Sequence, residues 1–343
     1  MKNKVIPIVF ALLAAVFYAL GIPLSKYLMN DISPTMMAGL LYLGAGFGIG
    51  IMFLFNIKKT KKEDFLSKKE WPYVLGMIVL DVAAPILLMF GLKYSTSGNA
   101  SLLNNFEIVA TSIIALIIFK EVISWKLWIG IALVTISSAL LTFDLSSLAF
   151  SWGSLLVLGA AICWGFENNC TRKISNKSTY EIVTIKGLAC GATSIIIALI
   201  IGERFPNWMY LLFAIALGFV AYGLSIFLYV KAQSKLGASR TSAFYAINPF
   251  VAVVLSLIIF REILSWNFYL ALGIMLLGSV VIVIDTIEKI HKHKHIHYVT
   301  HTHDGSTHTH LIEHEHKHTH IVDEEKHNHH HNVDELLKQI NHT

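Results

Sequence analysis

Ten long apolar stretches constrain the fold of this 343-residue chain more than any other feature of its sequence. A helix that crosses a bilayer needs roughly 17–25 mostly apolar residues. Charged residues make up only 14% of the chain, whereas soluble domains carry about 25%. The pattern therefore predicts an all-α membrane protein with ten transmembrane helices, at residues 5–24, 35–56, 72–92, 98–119, 127–143, 152–171, 180–202, 207–230, 240–260 and 266–285.

The lysine and arginine residues predict how these helices are oriented. With the N-terminus placed inside, sixteen of them fall on the cytoplasmic side of residues 1–285 and four on the outer side. Positive side chains favour the cytoplasmic side of short loops. Because the number of spans is even, we expect a multi-pass protein of the inner membrane with both termini in the cytoplasm.

An internal repeat divides the apolar region into two halves. The segment Ile117–Trp125 reads IIFKEVISW, and the segment Ile258–Trp266, 141 residues further on, reads IIFREILSW. This match predicts a duplication of five spans, with a first repeat at 1–144, a second at 145–285 and a tail at 286–343. Five is an odd number, so the second repeat is inverted in the membrane. Inverted repeats are typical of alternating-access transporters, although a duplicated membrane scaffold is an alternative interpretation.

Short motifs near the repeat ends resemble those of a known family. Phe119-Lys120-Glu121 and Phe260-Arg261-Glu262 each close an apolar run before a short turn, and Trp164-Gly165 opens the second repeat's polar motif. Residues 5–285 thus resemble the EamA-type family of the drug/metabolite transporter superfamily, and a branch of it with histidine-rich C-terminal tails. The resemblance implies transport of a small solute but assigns no substrate. The first helix departs from the pattern, with Tyr18-Ala19 in place of Trp-Gly.

Polar residues within the spans are the candidates for a solute cavity, because ionisable groups in a membrane are costly and usually functional. The predicted cavity residues are Asp81, Asn104, Asn105, Glu107, Glu167, Asn168, Lys186 and Asn248. Asn248 aligns with Glu107 at the 141-residue offset of the repeat, which favours an interface between the halves. Some aromatic residues are also expected to line the cavity, from the set Phe17, Tyr18, Trp164, Phe166, Tyr222, Phe244 and Tyr245.

Each of these positions has an alternative interpretation. The asparagines near Glu107 are also typical of hydrogen bonds between helices. Pro85 follows Asp81 by one turn, which predicts either a broken helix with an ion or proton site or a simple kink. Lys186 either pairs with Glu167 as a structural ion pair or takes a substrate carboxylate.

The tail differs in composition from the rest of the chain, because all 17 histidines follow Ile290. Such a polar segment is predicted to be disordered, with a short helix over 334–340. Imidazole suits divalent Zn, Ni, Co or Cu. The predicted metal ligands are His291, His293, His295, His297, His301, His303, His308, His310, His314, His316, His318, His320, His329, His330 and His331. An expression tag and a pH-responsive polybasic tail are the alternatives.

The sequence as a whole predicts a secondary transporter of a small solute or metabolite and not an enzyme. Its expected partners are membrane lipid, the solute and a coupling ion such as a proton, with no nucleic acid and no cofactor required for transport. Either a monomer or a dimer is compatible with the sequence. Two alternatives remain, a divalent metal (Ni, Co or Zn) permease or exporter, and a membrane-tethered metal sensor or store.

Overall fold

A computed structural model describes residues 2–57, 64–119, 123–144, 149–174, 177–236, 244–261, 264–303 and 306–321. The chain separates into two compact units, Met1–Val283 and Ile284–Thr343. The first unit contains nearly all of the predicted membrane region, and the second contains the whole histidine-rich tail.

The first unit is built from helices. They are α1 Lys2–Ala19, α2 Gly21–Leu28, α3 Pro34–Asn56, α4 Trp71–Lys93, α5 Ser97–Leu103, α6 Phe106–Phe119, α7 Trp125–Thr142, α8 Trp152–Ile174, α9 Thr179–Ile200, α10 Trp208–Gly218, a π-helical segment Phe219–Leu224, α11 Ser225–Leu236, α12 Asn248–Phe260 and α13 Trp266–Ile287. A short ladder between β1 Phe143–Asp144 and β2 Ala149–Phe150 follows α7.

All ten predicted stretches contain helix. Among the described residues, eight helices are long and apolar enough to cross a membrane. The other two predicted stretches hold α8, which is 23 residues long but carries charges near its end, and α12, which has 13 described residues. The described structure therefore shows a multi-pass α-helical unit with eight candidate spans.

Three predicted spans are interrupted at specific residues. The fourth span has a turn at Asn104 and Asn105, between α5 and α6, and the ninth has a turn at Ala246 and Ile247 just before α12. The eighth contains the π-helical segment between α10 and α11. Helix α4, by contrast, continues through Pro85, so the predicted break beside Asp81 is wrong. Neighbouring helices in a membrane bundle can satisfy the backbone groups that a proline releases.

Helix α3 lies at the centre of the first unit, where it packs against α9 and α10. The close approach depends on glycine. A Cβ atom on Gly44 would lie 2.1 Å from the carbonyl oxygen of Ile215, and one on Gly187 would lie 2.4 Å from the backbone nitrogen of Gly46. Small residues at helix crossings permit this backbone contact, which replaces the hydrophobic driving force that is weak within lipid.

Large apolar side chains cover the outside of the helices, as expected for a surface that faces lipid. On α3, Leu54 and Phe55 are 68% and 82% exposed. Tryptophan is the first residue of five helices, and each of these side chains is exposed: Trp71, Trp125, Trp152, Trp208 and Trp266. Tryptophan is enriched where a membrane meets water, and four of these five residues, all except Trp152, are the first residues of candidate spans.

The second unit contains strands and so differs from the prediction of an all-α chain with a disordered tail. Its described backbone forms a two-stranded antiparallel ribbon of β3 Glu288–His303 and β4 Ser306–Ile321, with His303 paired to Ser306. The sequence alternates with a period of two and is rich in threonine, which favours strands. The intervening Asp304-Gly305 is a strong hairpin signal in sequence. The helix predicted over 334–340 lies outside the described residues.

Candidate functional site

A cavity of about 720 Å³ lies within the first unit. Helices from both sequence repeats line it, including α3 and α6 from the first and α8 and α9 from the second. Its polar and aromatic lining residues are Tyr18, Tyr42, Asn104, Asn105, Glu107, Thr111, Trp164, Glu167, Asn168, Thr171, Thr179, Lys186, Tyr222, Tyr229, Tyr245 and Asn248. The volume falls within the range of about 300–1,000 Å³ that is common for small-molecule sites.

The structure brings the predicted polar residues together. Asn104, Asn105, Glu107, Glu167, Asn168, Lys186 and Asn248 all line the cavity. The eighth, Asp81, is completely buried behind the wall. These residues come from five sequence stretches, and their convergence results from the packing of the two halves.

Asp81 joins side chains from three other helices. Its Oδ1 accepts hydrogen bonds from the Tyr42 hydroxyl at 3.0 Å and from Trp164 Nε1 at 3.1 Å, and its Oδ2 lies 2.8 Å from Lys186 Nζ. A buried carboxylate is stable in a membrane only when such partners are present. Asp81 therefore fixes the positions of three cavity-lining side chains, and the proposed direct contact with a transported ion has no support in this geometry.

Lys186 lies between two carboxylates. Its Nζ is 3.0 Å from Glu167 Oε1 in addition to its contact with Asp81. The ion pair between Lys186 and Glu167 is thus confirmed, and the additional partner Asp81 was not expected. Glu167 Oε1 also accepts a hydrogen bond from the Thr171 hydroxyl one turn further along α8. With two acidic partners, Lys186 is less able to attract a substrate carboxylate.

Glu107 lies in the first turn of α6, just after the interruption at Asn104 and Asn105. Asn168 Nδ2 donates to Glu107 Oε1 at 2.6 Å and is 3.3 Å from the Thr111 hydroxyl. Within the described part of the chain, Glu107 forms no ion pair with a lysine or arginine. The first turn of a helix favours a carboxylate because the backbone N–H groups point toward it. Glu107 is therefore an ionisable group whose partners in the wall are neutral.

Asn105 also bonds across helices. Its Nδ2 donates to the Ser279 hydroxyl of α13 at 2.8 Å, so the alternative interpretation of interhelical hydrogen bonding is confirmed for this residue. It lines the cavity and holds the wall together at the same time.

Tyrosine rings form a continuous wall of the cavity. The centroid of Tyr18 lies 5.6 Å from that of Tyr222 and 5.9 Å from that of Tyr245. Tyr42 extends the row beyond Tyr222 at 5.5 Å, and Tyr229 extends it beyond Tyr245 at 5.1 Å. Tyr42 and Tyr229 were not among the predicted cavity aromatics. Their positions in sequence give no signal, because their helices contain other aromatic residues that do not line the cavity.

Other predicted aromatics do not line the cavity. Phe17, Phe166 and Phe244 are absent from its lining, and Phe166 is 41% exposed on the outside of α8. Trp164, two residues earlier on the same helix, faces the cavity. Two positions along a helix are about 200° apart, so their side chains point to opposite sides.

The predicted metal ligands from His291 to His320 lie on the two strands of the second unit. The backbone pairs His291 with His318, His293 with His316 and His295 with His314, and the last predicted ligands, His329, His330 and His331, lie outside the described residues. In the first unit, no group of three or more His, Cys, Asp or Glu side chains is placed to hold a metal ion among the described residues.

Comparison with known families finds two separate matches within the chain, one in each sequence repeat. The model of the EamA-like transporter family matches residues 5–143 and again residues 151–284. The chain belongs to the EamA-like transporter family. The two matches cover the membrane region and stop before the histidine-rich tail.

Three relatives of this chain are described as uncharacterized transporters. An "Uncharacterized transporter" of Methanothermobacter thermautotrophicus is 26% identical over 73% of this chain and 78% of its own length. "Uncharacterized transporter YyaM" of Bacillus subtilis is 24% identical over 71% and 82%, respectively. "Uncharacterized inner membrane transporter YedA" of Escherichia coli is 25% identical over 73% and 81%. These relatives support a membrane transporter of the EamA-like family.

A solved structure has the same fold. A chain described as "Crystal structure of protein" aligns with a TM-score of 0.59 and 16% identity, over 81% of this chain and 96% of its own. At this identity the likeness concerns the fold alone.

Proposed function

We propose that the protein is a secondary transporter of a small organic solute that works by alternating access. The observation that carries this proposal is the cavity of about 720 Å³, which is lined from both family-model matches and contains three ionisable side chains. Ionisable groups at membrane depth are retained where they contact a solute or an ion. This arrangement supports transport as the function of the protein, in preference to catalysis.

The packing of the helices supports two inverted five-helix repeats. Helix α1, from the first span, packs on α11 in the eighth, and α4, from the third span, packs on α8 in the sixth. The first and sixth spans are counterparts in the two repeats, and so are the third and eighth. Exchanging each span for its counterpart therefore converts the pair α1–α11 into the pair α4–α8, as a two-fold axis requires. Helices α3 and α9, from the second and seventh spans, pack on each other at the centre. Such an arrangement allows the halves to rock about a central site.

We propose ten membrane crossings, with α8 and α12 completing the eight candidate spans. Helix α8 has 23 residues, enough for about 34 Å, which exceeds the hydrocarbon thickness. Its charged residue Lys173 lies near its end and is exposed, and it would reach the cytoplasmic surface. Both termini would then be cytoplasmic. The cavity reaches Thr171 and Thr179, which flank this surface, so the described conformation would be open to the cytoplasm.

An organic solute fits the cavity better than a divalent metal. Metal permeation favours a cluster of carboxylate, thiolate or imidazole ligands, and the described part of the first unit has no such group of three. Two of the nearby carboxylates, Asp81 and Glu167, contact Lys186 instead. In the absence of a nucleotide-binding motif, we propose that an ion gradient, such as that of the proton, drives transport.

Replacing Glu107 by glutamine is expected to reduce transport at least about tenfold, a loss equivalent to one interaction of about 1.4 kcal/mol. The full chain and Glu107→Gln would be reconstituted in proteoliposomes, and uptake would be compared for organic cations, amino acids, carboxylic acids, sugars and divalent metals. Glu181→Gln, on α9 outside the cavity lining, is the matched control. If no solute class is transported, or if Glu107→Gln transports as well as the parent, the proposal is wrong.

We propose in addition that the tail binds divalent transition metals. The sequence supports this, because histidine alternates with other residues from His291 to His320 and imidazole prefers Zn, Ni, Co or Cu. This activity is separate from the cavity, and the tail would buffer or sense the metal.

Removal of the tail is expected to abolish stoichiometric metal binding while leaving transport unchanged. Metal retained after dialysis against Zn²⁺ or Ni²⁺ would be measured for the full chain and for a chain ending at Asp285. Equal retention by the two proteins would overturn the tail assignment. Metal transport that depends on Glu107 would instead establish the permease alternative, and metal retention with no transport of any solute would establish the sensor or store.

A further inference from the structure

The charges around the cavity do not balance. Three carboxylates, Asp81, Glu107 and Glu167, lie in or behind its wall, but Lys186 is the one cationic side chain that lines it among the described residues. Lys186 contacts Asp81 and Glu167 and not Glu107. The carboxylates therefore outnumber the cationic side chains by two, and Glu107 is the carboxylate that forms no ion pair in the described wall.

Glu107 is positioned by neutral donors. Asn168 donates to one of its oxygens at 2.6 Å, and Asn168 is itself close to the Thr111 hydroxyl. An amide donor orients a carboxylate without neutralising it. In the low dielectric of a membrane-embedded cavity, an opposite charge on a ligand would interact with this group much more strongly than in water.

The tyrosine wall is a second and independent feature that favours positive charge. Tyr42, Tyr222, Tyr18, Tyr245 and Tyr229 form a continuous row with centroid separations of 5.1–5.9 Å. The face of an aromatic ring carries negative electrostatic potential and attracts ammonium groups, with the strongest effect where water is excluded. The same rings offer a broad apolar surface to the body of a ligand.

We infer that the solute is an organic cation, with an amine or quaternary ammonium group that lies between Glu107 and the tyrosine wall and an apolar body against the rings. This inference rests on the proposed transport function and specifies its substrate class. An anionic solute would meet Glu107 without a free cationic partner in the described wall. A small inorganic cation would leave most of the aromatic surface unused.

Two probes of the same size test this inference. Benzyltrimethylammonium carries the predicted positive group, and phenylmethanesulfonate has a similar body with a negative group. Binding of each to the purified full chain in detergent would be measured by isothermal titration calorimetry. We expect the cation to bind at least about tenfold more tightly than the anion, a difference of 1.4 kcal/mol.

Matched variants distinguish the contribution of the Glu107 charge to cation binding from that of the aromatic rings. Glu107→Gln is expected to weaken binding of the cation about tenfold or more, and the control Glu181→Gln, outside the cavity, is expected to leave it unchanged. Tyr18→Leu, at the centre of the ring row, is expected to weaken binding about fivefold more than Tyr18→Phe, because phenylalanine keeps the aromatic face. A monodisperse elution profile and an unchanged melting temperature would establish that each variant is folded.

The outcomes also distinguish this inference from the broader proposal. Equal or tighter binding of the anion, or insensitivity of cation binding to Glu107→Gln, would overturn the cationic substrate class. If the proteoliposomes then transported an amino acid, an organic anion or a sugar, and this transport depended on Glu107, the proposed transport function would still hold with a different substrate class. If the cation binds as expected but no member of the solute panel is transported, the transport function fails and the cavity is a binding site.

Discussion

Gly44→Ala is expected to prevent the protein from folding. The added Cβ would lie 2.1 Å from the carbonyl oxygen of Ile215 and 2.9 Å from its carbonyl carbon. These are backbone atoms within α10 and cannot move aside as a flexible side chain could. Because α3 is central to the packing, separating it from α10 would disturb contacts on both sides. We expect destabilisation above about 4 kcal/mol, seen as loss of the monodisperse peak in size-exclusion chromatography.

Gly273→Ala is the matched control for this experiment. Nothing lies within 4 Å of a Cβ atom built on Gly273 in α13. Alanine is a better helix former than glycine by about 1 kcal/mol, so this variant should fold as well as the parent or slightly better. The same yield and melting temperature for Gly44→Ala and Gly273→Ala would contradict the close approach of α3 to α10 at Gly44.

Lys186→Met is expected to destabilise the protein by about 3–5 kcal/mol, the usual effect of removing one partner from a buried ion pair. The change would leave Asp81 and Glu167, which are 0% and 2% exposed, without their shared cation. Methionine matches much of the lysine side chain in volume, so the loss would result from charge and not from a cavity. The melting temperature of the purified protein in detergent is the measurement.

Removing all three charges should restore much of this loss. In the triple variant Asp81→Asn, Glu167→Gln and Lys186→Met, the new amide oxygens can still accept hydrogen bonds from Tyr42, Trp164 and Thr171. Replacement of a buried ionic group by neutral residues of similar volume is often close to neutral for stability. A melting temperature of Lys186→Met equal to that of the parent would contradict the buried triad. A triple variant as unstable as the single one would show that shape, and not charge, is decisive there.

The sequence predicted the helices well because membrane segments have a strong local signal. The predicted 72–92 and 266–285 correspond to α4 Trp71–Lys93 and α13 Trp266–Ile287. The break at Pro85 was wrong, since a proline in a bundle can be accommodated within a continuous helix. One of the three interruptions lies at Asn104 and Asn105, where no proline or glycine marks it.

The polar residues of the cavity were also found from sequence, because an ionisable or amide side chain is conspicuous within an apolar stretch. Their partners were harder to predict. Asp81 was predicted to line the cavity, whereas it lies behind the wall and contacts Lys186, 105 residues away in sequence. Tyr42 and Tyr229 carry no such signal, since aromatic residues are common throughout membrane helices.

The sequence by itself determined the apolar spans, the internal repeat and the family resemblance, because lipid imposes length and composition on each crossing segment independently. It also separated the histidine-rich tail from the membrane region. Only the tertiary structure decided which polar groups meet. The packing of helices from both repeats places Lys186 between two carboxylates, and it leaves Glu107 without an ion pair in the described wall. Contacts of this kind depend on the rotation and depth of helices that are distant in sequence, and neither is encoded in local hydropathy.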